Sequence, residues 1–207
     1  MKRIILVLTL ILISYTSKAQ EPSFTIEASQ LVSTFKFVDS DNMKQNSDYQ
    51  SIFTGAYGIG YRNAFRNNVI FKAGLGKRNG GANYVYDGMN YSWRLEYAEA
   101  KIGGGYILKR RVFSPYAVLN GYYGHLLRGT QILNNEEFNI TKSGILKKSD
   151  FGIIGNIGVN FNISHFVSAY AEALYLYGLS NIEEDSGQKS ANRSYGVTLG
   201  LSFNLTE

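Results

Sequence analysis

The chain has no cysteine, two prolines, two histidines and one tryptophan among 207 residues. Without cysteine there is no disulfide, no thiolate metal site and no thiol-linked lipid anchor. Proline occurs only at Pro22 and Pro115, so nothing interrupts long extended runs, and both positions suit strand ends. No apolar run reaches the ~20 residues of a membrane helix. A strong charge of one sign is missing too. The chain carries 21 basic and 16 acidic residues, a formal +5. Lys2, Arg3 and Lys18 lie in the first 19 residues; without them 18 bases face 16 acids, a net of +2. That balance, with no basic helix and no zinc or helix-turn-helix pattern, excludes nucleic acid as the partner. The glycine runs Gly80–Gly81 and Gly103–Gly105 lack the Lys-Ser/Thr ending of a phosphate loop, and no cofactor is implied.

What is present is order of period two. Residues 1–19 have the layout of a secretory signal peptide. Lys2 and Arg3 precede the apolar Ile4–Ile13, and small residues stand at Ser17 and Ala19. Residues 20–207 then read as one domain. Phe151, Ile153, Ile157, Val159, Phe161 and Ile163 alternate with Gly152, Asn156, Gly158, Asn160 and Asn162. After a Ser164–His165 turn the alternation resumes to Leu179. The last run sets Tyr195, Val197, Leu199, Leu201, Phe203 and Leu205 against Ser194, Gly196, Thr198, Gly200, Ser202 and Asn204. Such runs are strands, because successive side chains of a strand point to opposite faces. They exceed the usual ~5–6 residues of a soluble strand and match the ~9–11 of a tilted membrane strand.

The pattern predicts eight strands, near residues 24–38, 50–63, 68–78, 91–108, 113–127, 150–163, 166–180 and 193–205. Short connections at 64–67, 109–112 and 164–165 alternate with long ones at 39–49, 79–90, 128–149 and 181–192. That is the pattern of an eight-stranded antiparallel up-and-down transmembrane β-barrel, all-β, with short periplasmic turns and long external loops. A switch of parity after Tyr97 predicts a bulge at Tyr97–Ala98, with Trp93, Leu95 and Tyr97 on the lipid face before it. A soluble lipocalin-type barrel has the same period with the apolar face inward. Small polar residues on one face and the 16 tyrosines favour the membrane barrel. Tyr49, Tyr61, Tyr84, Tyr86, Tyr91, Tyr116, Tyr175, Tyr177 and Tyr195 are candidates for aromatic girdles.

Four segments, SPYAVLNGYYGHLL, SDFGIIGNIGVNFNI, AYAEALYLYGLSNI and SYGVTLGLSFNL, resemble successive strands of the porin-like outer-membrane β-barrel domain proteins of Gram-negative bacteria. In the fourth strand that family often carries Pro where this chain has Ala98. The resemblance implies an eight-stranded barrel in the cell outer membrane. Most members have no assigned activity, and the porin name does not establish a pore.

Three functions fit these residues. The first is a non-enzymatic, structural outer-membrane barrel, expected as a monomer, in contact with outer-membrane lipids and with an extracellular partner of its long loops. The second is a lipid-modifying enzyme using His125, with Ser149 or Ser180 brought to it by the fold. The third is a narrow small-solute channel. Parity places Glu27, Lys72, Arg94, Glu96, Glu99, Lys101 and Glu172 in the lumen, where unpaired charge is costly and a connected network is expected. Arg62, Arg66, Lys109, Arg110 and Arg111 gather at the periplasmic end, where they are expected to meet anionic headgroups.

Overall fold

The computed structural model describes residues 21–38, 49–86, 89–134, 136–184 and 189–205. The expected signal segment at 1–19 and all but the last residue of the long connection expected at 39–49 lie outside these residues. Eight long strands are β1 (Glu21–Val38), β3 (Ile52–Ala64), β4 (Val69–Tyr86), β5 (Met89–Ile107), β6 (Phe113–Leu133), β8 (Ser149–Asn162), β9 (Val167–Gly178) and β10 (Lys189–Asn204). Two short ones, β2 (Tyr49–Gln50) and β7 (Glu136–Asn139), pair with β4 and β6 at the end opposite the described termini. Each long strand pairs antiparallel with the next, and β1 pairs with β10 from Ser23↔Asn204 to Val38↔Lys189. The ring is closed, so no strand edge needs a partner.

Polarity is inverted over most of the wall. Ile26, Tyr57, Ile59, Leu75, Ile102, Leu119, Ile157, Leu199 and Leu201 are exposed on the outside, while Lys72, Arg78, Asp150 and Glu172 are buried inside. The apolar face is therefore outward, opposite to a lipocalin.

The lumen is filled by aromatic rings set over glycine. Tyr116 stands directly opposite Gly158, Tyr122 opposite Gly152, and Tyr170 opposite Gly200. A Cβ on the first two would lie 2.9 Å from Tyr116 Cζ and 2.8 Å from Tyr122 Cε1, and one on Gly200 would collide with the Tyr170 ring. The glycines make the space that the rings occupy, a cross-strand packing of ring on bare backbone.

Three expectations are corrected here. The long connection at 79–90 is almost all ladder: β4 and β5 stay paired from Val69↔Tyr106 to Tyr86↔Met89. The bulge is on the other strand. Glu96 pairs with Arg128 and Tyr97 with Leu126, so Leu127 of β6 is the extra residue. The parity of β5 is unbroken, and Leu95 and Tyr97 are buried inside like Ile107 below them. The physical reason is a change of surroundings and not of backbone. Above the apolar band the barrel interior is an ordinary water-excluding core. Phe35, Ala82, Leu95, Tyr97, Leu126, Ile140, Leu146 and Ile182 pack there, with Tyr49 and Trp93 against them.

Candidate functional site

The functional question is what the lumen can pass and what its two ends present. β1, β4, β5 and β9 carry the lower charges on inward positions. Lys72 pairs with Glu172 and Lys101 with Glu27. Tyr116 donates to Glu172 Oε1 at 2.6 Å, Asn156 donates to its Oε2 at 2.7 Å, and Tyr170 donates to Glu27 Oε2 at 2.9 Å. A second layer lies above. Arg78 donates through Nε to Glu99 Oε2 at 2.6 Å and through Nη2 to Asp150 Oδ2 at 2.8 Å. Asp150, fully buried, also accepts from Tyr122, Ser180 and Asn192. Multiply hydrogen-bonded charge pairs of this kind hold their geometry.

Between the layers Leu31, Ile154, Leu174 and Leu176 leave a cavity of about 40 Å³. That is room for a water or two, since one needs roughly 10–15 Å³ on this measure.

Of the residues assigned to the lumen from parity, Glu27, Lys72, Glu99, Lys101 and Glu172 stand in these two layers. Arg94 and Glu96 do not. Arg94 is exposed, with Nη1 on Asn83 Oδ1 at 3.4 Å, and Glu96 pairs outside with Lys77 at 2.9 Å. Both follow from the unbroken parity of β5. Arg62, expected at headgroups, is instead buried inside, and so is Tyr116, expected in a girdle. Sequence reasoning missed Arg78 and Asp150. Each stands at the end of a predicted strand and is absent from the predicted charge network, although each shares parity with the inward residues of its strand.

Among the described residues the end opposite the termini is covered. The segment after β7 folds back over the barrel. Lys147 N–H donates to Ile182 O at 2.8 Å, Leu126 N–H to Lys148 O at 2.7 Å and Glu184 N–H to Ile145 O at 3.0 Å. Beside this cap a groove of about 410 Å³ runs along the rim, lined by Asn83, Tyr84, Asn90, Tyr91, Arg94 and Asn134. Tyr84 stacks on Tyr49 at 4.9 Å. The end that carries the described termini is open, with a polar recess of about 560 Å³ inside its mouth.

His125 points outward on β6. Ser149 is its partner across the ladder, and Ser180 lies on the other face of the wall, bound to Asp150. Among the described residues no group of three His, Asp or Glu could hold a metal ion.

Among solved structures the chain is similar in fold to the outer membrane protein OprG from Pseudomonas aeruginosa, with TM-score 0.55, 10% identity and coverage of 91% of this chain and 99% of that one. NspA, a Neisserial surface protein, aligns over 88% of this chain and 97% of its own at 15% identity and TM-score 0.47. Ail, the attachment invasion locus protein of Yersinia pestis, aligns over 88% and 98% at 14% identity and TM-score 0.45. No family model and no curated protein matches the chain. The likeness to OprG establishes a shared barrel fold and nothing finer.

Proposed function

We propose that the protein is an integral barrel of the Gram-negative outer membrane, closed to solutes, that works through its external rim. The observation that carries this reading is the inverted wall: apolar residues ring the outside at the level where Lys72, Lys101, Glu27 and Glu172 fill the inside. In water that arrangement would expose a large apolar surface; in lipid it is the stable one. A plugged lumen and a folded cap leave the rim as the working surface, and the rim groove supplies rings, amides and one guanidinium for a partner. Three features fit a porin-like address in the cell outer membrane: the signal-peptide layout of residues 1–19, the resemblance of four strands and the barrel fold. The enzymatic reading through His125 gains only Ser149 as a neighbour.

The test has two parts. Unboiled protein should migrate differently from boiled protein on a detergent gel and fractionate with outer membranes, and purified protein should give no steady conductance in a planar bilayer. Recovery in the soluble periplasm would sink the membrane reading, and a large stable conductance would sink the closed one. For the rim, Arg94→Ala combined with Tyr91→Ala should abolish retention of ligands found in a binding screen of the wild-type barrel.

A further inference from the structure

Among the described residues the lumen holds four cations, Arg62, Lys72, Arg78 and Lys101, and four acids, Glu27, Glu99, Asp150 and Glu172. They do not pair one to one. Arg78 takes both Glu99 and Asp150, so among the described residues Arg62 has no carboxylate within ion-pair distance. Arg62 is only 5% exposed. Its direct partner across the β3–β4 ladder is another cation, Lys72, which is engaged by Glu172 and supplies no counter-charge. What holds its side chain among the described residues is one hydrogen bond, from Nη1 to Asn160 Oδ1 at 3.0 Å, and the rings of Tyr116 and Tyr170, 5.0 and 6.0 Å from its Cζ. A guanidinium has five N–H donors, and the Asn160 bond takes one. A buried charge without a counter-charge is costly, so this arrangement calls for an anion from outside.

The surroundings are built to receive one. Arg62 forms the floor of the 560 Å³ recess at the open end. Ser23, Ser168 and Ser202 are buried in its walls, and Asn160 and Asn204 add amides. The acid at its edge, Glu21, is engaged by Lys109 at 3.1 Å. Arg111 stands at the rim. The recess is thus positive at its base, hydroxyl-lined, and open to solution at the short-turn end.

We propose that this recess is a periplasmic oxyanion site, in which Arg62 binds a carboxylate- or phosphate-bearing ligand by the planar two-point contact that guanidinium makes with such groups. It goes beyond the rim reading and stands on the opposite end of the molecule. The ligand is a free anion or a lipid headgroup reaching over the rim.

The experiment uses the full barrel refolded in maltoside micelles. Sodium phosphate or acetate is titrated at constant ionic strength against sodium chloride, with binding read by calorimetry. Wild type should bind phosphate above the chloride background. Arg62→Gln should weaken binding at least about tenfold, the loss of one charged hydrogen bond. Asn160→Asp guards against a folding artefact. It places a carboxylate on Arg62 from within, so it should also lose phosphate binding while unfolding at higher urea than wild type. Repeating the titration with phosphatidylglycerol in the micelles separates the sources. Displacement of phosphate assigns the site to a headgroup; no displacement assigns it to a free anion. Phosphate that binds wild type no better than chloride, or binds Asn160→Asp undiminished, overturns the site.

Discussion

The barrel obeys two opposite rules along one axis. In its lower part charges point in and hydrocarbon points out. In the upper part Leu95, Tyr97, Leu126 and Ile182 point in, while Arg94 and the Lys77–Glu96 pair point out. β5 crosses from one regime to the other without changing its parity. The two regions share strands, twist and register, so backbone geometry does not set which face is apolar. The solvent outside does. In lipid the wall must be apolar outside, whereas in water it must be apolar inside.

The sharpest way to break this comparison is at the boundary. Asp150 accepts bonds from Arg78, Tyr122, Ser180 and Asn192 just below the apolar cap. Asp150→Ala leaves Arg78 short of a counter-charge and should lower stability in micelles by about 3–5 kcal/mol, read from urea unfolding. Next comes a matched pair of substitutions on the outer face. Ile157 is 72% exposed in the lower region and Val85 is 45% exposed in the upper. Ile157→Lys should cost ~2–4 kcal/mol in bilayers, and Val85→Lys within about 0.5 kcal/mol. Equal effects would show that no lipid boundary lies between them. Ile182→Ala, in the cap, should cost about 2 kcal/mol and speed amide exchange at Leu126 and Lys147, whose N–H groups close the cap. The smallest effect belongs to His125→Ala: within about 0.5 kcal/mol, with extracted lipids unchanged by mass spectrometry. Altered lipid acylation would restore the enzymatic reading.

The same comparison explains what could be read from residues alone. Strand count, closure and the inward set of β4, β8, β9 and β10 were legible, because there the lipid-facing rule holds over whole runs such as Val197–Leu205. The upper region was not. Trp93, Leu95 and Tyr97 are apolar for the opposite reason, and assigning them to lipid turned Arg94 and Glu96 inward and moved a bulge from Leu127 to β5. Arg78 and Asp150 stand at strand ends, outside the predicted charge network; for Arg78 the reason is that β4 continues to Tyr86 through Asn79, Gly80 and Gly81, residues with the composition of a loop. The Arg62 recess needs the ladder register that sets Arg62 beside Lys72, and no local pattern encodes it.

The rings over glycine have a consequence for how such a chain can change. Tyr170 and Gly200 are far apart in sequence, yet any side chain at 200 collides with the phenol at 170. Neither position can drift alone: a methyl at 200 has to await a smaller residue at 170, and the reverse order opens a hole. The lineage of this barrel is therefore expected to carry tyrosine and glycine at these sites as a single inherited letter, replaced together or not at all.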